Sequence, residues 1–152
     1  MTDATPMPLR RRGRVMGRPI LSLDFDGVIH SYTTKWIAPH VIPDPPVPGA
    51  IAFLREAVKH FRVCIYSTRS ATEAGRSAMA QWLGLYVAEY RLSDDEELAW
   101  ASKIEFPDTK PPALVGIDDR VLTFEGEWPS MGRLLTFKPW NKRLPSQNQG
   151  SG

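Results

Sequence analysis

The chain has 152 residues, of which 42% are hydrophobic and 24% are charged, as is typical of a single globular domain. Cys64 is the only cysteine, which excludes an intramolecular disulfide and argues against a cysteine-based zinc site. The formal net charge is +2, but residues 1–18 carry +4, which leaves −2 for the rest and makes charge a weak argument for nucleic-acid binding by the domain.

Residues 1–18 contain five arginines against one acid, Asp3, and no apolar run of signal-peptide length follows them. We interpret them as a basic flexible tail, either simply solvated or available to nucleic acid. No stretch of the chain approaches the ~20 apolar residues of a membrane span. The sequence therefore predicts a soluble, cytoplasmic protein without a membrane partner, as a monomer or a homo-oligomer.

The first elements after the tail alternate between strand and helix patterns. Residues 20–25 form a short apolar run that stops at carboxylates, which predicts a buried strand. Residues 28–48 contain five prolines, which favours a flap or loop over a helix. Apolar residues at helical spacing then predict an amphipathic helix over residues 49–60, followed by a second strand over residues 62–66.

Two capping-box patterns organise the next part of the chain. Ser70 and Glu73 predict the start of a helix that runs to about Leu83, and residues 86–90 are expected to follow as a strand. Residues 93–101 begin with the second capping box and predict a short helix.

The last elements predicted are strands over residues 113–117 and 133–137, before a polar flexible tail over residues 142–152. Alternating strands and helices predict the α/β class, with a Rossmann-like, doubly wound parallel sheet covered on both faces in three α/β/α layers. We place this domain at residues 19–141.

Acidic pairs follow two of the predicted strands. Asp24 and Asp26 follow the first strand, and Asp118 and Asp119 follow the strand over residues 113–117. Ligands of open parallel sheets bind at the carboxyl ends of the strands, so the four carboxyl groups are expected in one crevice. Such a cluster needs a cation, and oxygen ligands favour Mg²⁺. The sequence thus predicts that these four residues bind Mg²⁺ and that the crevice binds phosphate.

Candidate phosphate-binding groups lie at the same edge of the predicted sheet. Ser67, Thr68 and Arg69 follow the strand over residues 62–66 and offer hydroxyls, amides and a guanidinium. Gly27 follows the first acidic pair, where the absence of a Cβ would allow a tight turn with amides directed at phosphate oxygens.

Cations near the acids would offset their repulsion and orient the nucleophile. Lys110 is our preferred candidate for this role, with Lys103 as the alternative. Arg69 and Arg120 are candidates for contact with phosphate, the alternative being structural salt bridges. His30 either faces the substrate or belongs to the flap without a chemical role.

Four short motifs, in order, resemble those of the haloacid dehalogenase superfamily of phosphotransferases over residues 20–120. The matching segments are Asp24-Phe-Asp26-Gly27, Ile65-Tyr66-Ser67, Lys110-Pro111 and Gly116-Ile117-Asp118-Asp119. The resemblance implies an Mg²⁺-dependent phosphohydrolase that works through an aspartyl-phosphate on Asp24, with Asp26 as the acid/base and Lys110 as the third catalytic residue. It also implies Mg²⁺ ligation by the Asp24 carboxylate, the Asp26 backbone carbonyl and Asp118, with Asp119 bound directly or through water.

The gaps between these motifs are too short for the large cap domains found in many members, so the chain resembles the capless branch. Ser67-Thr68-Arg69 and Asp118-Asp119-Arg120 look like the phosphatase half of polynucleotide kinase phosphatases, which implies a nucleic-acid end as substrate. Pro139-Trp140-Asn141 resembles deoxyribonucleotidases, which implies a nucleotide. The alternatives are a phosphatase of a small phosphorylated metabolite and a non-catalytic module that binds phosphate or nucleic acid.

Overall fold

A computed structural model describes residues 17–91 and 98–143 of the chain. Its centre is a parallel sheet of three strands, β1 (Ile20–Leu23), β2 (Arg62–Ile65) and β3 (Val115–Ile117), in the order β2-β1-β3. Leu23 of the central strand is in register with Ile65 on one side and Ile117 on the other. The predicted α/β class and parallel pairing are thus confirmed, and all three strands end at the same edge of the sheet.

Two long helices, α1 (Ala50–His60) and α2 (Glu73–Glu89), pack on one face of this sheet. Leu21 and Leu23 point to this face and share a buried cluster with Leu54 of α1 and Leu83 of α2. The apolar periodicity that predicted α1 is explained by this contact, since its buried residues recur every three to four positions. On the opposite face, Ser22 is half-buried and Gly116 is exposed.

The predicted strand over residues 86–90 is wrong, because α2 continues to Glu89. Trp82, Tyr86 and Tyr90 are spaced by four residues, and their ring centroids lie 4.8 and 6.2 Å apart along one side of the helix. Val87 meanwhile is buried in the core. The aromatic and β-branched residues that indicated a strand are therefore explained by helical packing at i, i+4.

Two other element predictions need correction. The predicted strand over residues 133–137 is wrong, since a third helix, α3 (Met131–Leu135), begins after Ser130, whose hydroxyl accepts a hydrogen bond from Arg133 N at 3.1 Å. Helix α2 begins after Thr72 rather than Ser70, and Thr72 Oγ1 accepts from Gly75 N at 3.0 Å.

The short helix predicted over residues 93–101 falls partly outside the described residues, and a 3₁₀ helix, Leu98–Lys103, packs against α1 and α2. Glu105, which follows this 3₁₀ helix, forms an isolated parallel bridge with Cys64 of β2.

The flap predicted over residues 28–48 consists of loops, turns and isolated bridges, without a regular helix or strand. His30 bridges to both Asp26 and Pro46, and Val47 N donates to the Ile29 carbonyl at 2.8 Å. Both ends of the flap are therefore held close to the end of β1. Within the described ranges, no helix combines the length and apolar character needed to span a membrane.

Candidate active site

Three carboxylates meet where β1 and β3 end. Asp24 follows β1 and its amide donates to the Ile117 carbonyl at 2.9 Å, which places it beside Asp118 and Asp119. One oxygen of each of these three carboxylates lies within 4.8 Å of the others. The parallel arrangement predicted from the sequence therefore brings the ends of the two acidic strands together.

The environment of the cluster disfavours the ionised forms of Asp24 and Asp119. Burial raises the pKa of Asp24 from its ordinary value of 3.8 to about 7, and the charges of Asp118 and Asp119 add to this effect. The Phe25 amide, which donates to Asp24 Oδ1 at 2.8 Å, opposes it. Burial likewise raises the pKa of Asp119. A cation at the cluster would remove this penalty, because the carboxylates would no longer face one another uncompensated.

One carboxylate oxygen has no partner of its own in the described part of the chain. The Asp119 side chain is 3% exposed, and its Oδ1 is buried without a hydrogen bond. A buried, unpaired carboxylate oxygen is costly, whereas coordination to a cation satisfies it. The three acids therefore fit a hard divalent cation that prefers oxygen ligands.

The Asp26 carboxylate does not belong to this cluster. Ligation by the Asp26 backbone carbonyl, which the motif resemblance implies, stays a prediction. The carboxylate is turned to Arg69, whose Nε donates to Oδ1 and Oδ2 at 3.1 and 3.0 Å. His30 Nδ1 lies 2.8 Å from Asp26 Oδ1. Asp26 nevertheless lines the same cleft as Asp24, which is the position that an acid/base requires.

Arg69 occupies a different place from the one expected of a phosphate ligand. Its side chain is 1% exposed. Besides holding Asp26, its Nη1 donates to flap carbonyls of Ala38, Pro39 and Val41 at 3.1, 2.9 and 2.9 Å. The guanidinium thus links the flap to Asp26. Because the flap carbonyls and Asp26 accept its N–H groups, Arg69 does not take the phosphate-binding role predicted from the sequence.

His30 is a buried structural link and not a substrate-facing group. It is 0% exposed, and the Asp44 amide donates to its Nε2 at 3.1 Å. Since Nε2 accepts the hydrogen bond from the Asp44 amide, the N–H group at Nδ1 donates the hydrogen bond to Asp26 Oδ1. His30 and Arg69 therefore hold the Asp26 carboxylate from two sides.

Gly27 has a steric role that the sequence pattern did not indicate. Its φ is +81°, and a Cβ at this position would lie 2.2 Å from Asp119 Oδ2. Its amide donates to the His30 carbonyl at 2.8 Å, so the amide is not directed at phosphate as predicted. Its carbonyl accepts from Trp140 Nε1 at 2.8 Å. Gly27 therefore leaves room for Asp119 instead of binding substrate.

We expect Gly27→Ala to lower the free energy of unfolding by about 2–3 kcal/mol, from the left-handed backbone and the clash together. We also expect it to abolish the thermal stabilisation produced by Mg²⁺, since Asp119 must move. Gly49→Ala is the matched control, because Gly49 has φ +86° with nothing within 4 Å of the added Cβ. Differential scanning calorimetry with and without Mg²⁺ measures both effects, and equal results for the two variants would contradict the steric argument.

The three carboxylates line an open cleft of about 540 Å³ at the carboxyl edge of the sheet. Ser67 and Thr68 line it as predicted, with Thr68 exposed. Arg120 is 59% exposed and is the cation of this cleft, with Nε 4.0 Å from Asp119 Oδ2. The complete lining is Asp24, Asp26, Tyr32, Trp36, Tyr66, Ser67, Thr68, Asp118, Asp119, Arg120 and Val121.

Neither candidate lysine lines this cleft. Lys110 is exposed and precedes β3, which pairs with the start of β1 through the bond from Leu114 N to the Ile20 carbonyl at 2.9 Å. Lys103 lines a separate cavity near Ile20, at the opposite end of β1 from Asp24. Lys103 therefore lies towards the amino edge of the sheet, Lys110 is exposed outside the cleft, and the cation found in the cleft lining is Arg120.

Three aromatic residues of the cleft, Tyr32, Trp36 and Tyr66, were not identified from the sequence. Tyr32 and Trp36 belong to the flap, and the aromatic residues that follow the first acidic pair are the signal that could have indicated them. Tyr66 ends the second predicted strand, next to Ser67.

The raised pKa of Asp24 gives a prediction for the metal-free protein. The folded state keeps a proton on Asp24 up to about pH 7 that the unfolded state releases near 3.8, so the free energy of unfolding should fall as pH rises between these values. We expect a difference of about 2 kcal/mol after solvent screening. Urea unfolding in EDTA at pH 4 to 8, compared with Asp24→Asn, isolates this contribution. Identical slopes for the two proteins would contradict it.

Comparison of the chain with protein-family models, curated proteins and solved structures finds no match. The residues of the cleft are therefore the basis on which a function is proposed.

Proposed function

We propose that the protein is a Mg²⁺-dependent phosphomonoesterase in which Asp24 is the nucleophile. The observation that carries the proposal is the approach of three carboxylates from two parallel strands, with the buried Asp119 Oδ1 lacking any hydrogen bond among the described residues. An acidic cluster with an unsatisfied oxygen supports cation binding, and a cation beside a carboxylate nucleophile suits phosphoryl transfer. The motif resemblance to the haloacid dehalogenase superfamily points the same way.

The reaction would proceed in two displacements. An Asp24 oxygen forms a bond to phosphorus while the bond from phosphorus to the leaving oxygen breaks, and Asp26 gives that oxygen a proton. Water then attacks the aspartyl-phosphate, returns a proton to Asp26 and releases inorganic phosphate and free Asp24. Arg69 and His30 hold the Asp26 carboxyl group from two sides and so fix its orientation at the cleft.

The other residues of the cleft would bind the phosphoryl group. Arg120 supplies a positive charge, and the exposed Thr68 supplies a hydroxyl at the end of β2. Ser67 lines the cleft but shapes it instead, since its amide donates to Ser70 Oγ and its hydroxyl accepts from Arg69 N, both at 3.0 Å. Asp24, Asp118 and Asp119 would hold Mg²⁺, which neutralises charge on the phosphoryl oxygens when it is bound. The cleft is open, which agrees with the absence of room for a large cap between the motifs.

Release of inorganic phosphate from a panel of phosphomonoesters, in Mg²⁺ and in EDTA, tests this function. We expect turnover in Mg²⁺, loss of turnover in EDTA and recovery when Mg²⁺ is restored. Turnover that is insensitive to EDTA would contradict the metal-dependent mechanism. Absence of turnover on every ester, together with Mg²⁺ binding, would favour a non-catalytic phosphate-binding module.

A further inference from the structure

The flap places an indole ring at the acidic cleft. Trp36 is 42% exposed and, with Tyr32, lines the cleft that contains Asp24 and Asp119. The Arg69 guanidinium covers one side of this ring, with Cζ 4.5 Å from the ring centroid. Since Arg69 itself is buried, the exposed area of Trp36 lies away from that contact. An accessible aromatic surface therefore borders the proposed phosphate site.

The Trp36 ring is held in place by the flap backbone on either side of it as well as by its contact with Arg69. Arg69 Nη1 binds the carbonyls of Ala38, Pro39 and Val41, which fixes the backbone that follows Trp36. Before it, Tyr32 has φ 54°, a left-handed conformation that a tyrosine adopts only when its surroundings impose it. A ring that is already ordered binds a flat ligand with little further loss of conformational entropy.

We infer that Trp36 stacks on a nucleobase in the leaving group, so that the substrate is a nucleotide or a nucleotide at the end of a nucleic acid. A nucleobase is a flat ring attached through a sugar to a phosphate, and stacking on an aromatic side chain tolerates any base. Small phosphorylated metabolites without a ring would leave the indole unused. The inference rests on the proposed function and adds to it the class of leaving group and the residue that selects it.

Steady-state kinetics on ring-bearing and ring-free esters test this role. The substrates are a nucleoside monophosphate, an oligonucleotide phosphorylated at the 3′ or 5′ end, and glycerol phosphate as the ring-free ester. We expect Trp36→Leu to lower kcat/KM for the nucleotides by roughly 5- to 100-fold, mainly through KM, and to leave glycerol phosphate unchanged. Trp36→Phe should retain most of the nucleotide preference. Ile37→Ala, on the same exposed flap and outside the cleft, is the control expected to change neither.

The outcomes separate this inference from the proposed function. Equal losses on nucleotide and glycerol phosphate, or no preference for nucleotides in the wild type, would overturn the stacking role while phosphatase activity stands. If no ester is hydrolysed, equilibrium binding of the nucleoside monophosphate decides: binding weakened by Trp36→Leu supports stacking without the activity, and unchanged or absent binding overturns it. A preference for the oligonucleotide over the monophosphate assigns the nucleic-acid end as the source of the nucleobase.

Discussion

Asp24→Asn is expected to reduce phosphate release by at least about 10³-fold, because an amide oxygen cannot form the aspartyl-phosphate. The loss should persist at every Mg²⁺ concentration, since the missing group is the nucleophile. The variant should fold at least as stably as the wild type in EDTA at pH 8, because the substitution removes a buried carboxylate whose pKa is raised to about 7. Phosphate release and urea unfolding on the same preparation measure the two effects.

Asp119→Asn is the matched comparison, because it alters the same cluster without removing the nucleophile. Its activity should fall as well, but should recover in part as Mg²⁺ is raised, since the expected defect is in cation affinity. Complete rescue of Asp24→Asn by Mg²⁺ would show that Asp24 is a ligand only. Activity of Asp24→Asn equal to that of the wild type would exclude Asp24 from the reaction.

Arg69→Met is expected to lower the free energy of unfolding by about 3–5 kcal/mol, a large part of the stability of a domain of this size. The substitution leaves the Asp26 carboxylate without its cation and removes the donor to three flap carbonyls. A buried acceptor that loses its hydrogen bond is not rehydrated, so its loss destabilises the fold by more than the net stabilisation that the bond itself provided. The midpoint of urea unfolding reports this change.

Arg76→Met provides the matched control, since Arg76 donates a hydrogen bond from Nη1 to the Ser70 carbonyl at 2.7 Å and lies outside the cleft. We expect a loss of about 1 kcal/mol or less for this variant. Similar losses of unfolding free energy for both variants would mean that the contacts of Arg69 with Asp26 and the flap stabilise the fold no more than the single hydrogen bond of Arg76 does.

The elements closest to β1 could be predicted because their sequence patterns agree with their packing. Residues 20–25, 49–60 and 62–66 bury apolar side chains at strand and helix spacing, and β1, α1 and β2 are found within two residues of these limits. The strand predicted over residues 86–90 failed because aromatic residues suit both a strand and one side of a helix. The apolar pattern at residues 133–137 is short enough to fit a strand or a single helical turn. The Ser130 side chain caps the helix α3, which is the element that forms there.

The candidate site was predictable where it depends on strand ends and less so where it depends on side-chain partners. Asp24, Asp118 and Asp119 come together because parallel strands end at one edge, which the order of elements implies. The partners of Arg69 lie 28 to 43 residues away in the chain, and nothing local to Arg69 indicates them. Lys110 was misplaced for the related reason that its distance from the acids depends on where β3 enters the sheet.

The guanidinium shared by Asp26 and the flap also affects how the protein can be redesigned. Every residue placed at positions 38 to 41 keeps the backbone carbonyl that Arg69 needs, so substitutions there affect Asp26 only if they move the backbone of this segment. Variation at the exposed Ile37 leaves these carbonyls intact, as well as the two hydrogen bonds from Thr34 to Asp44.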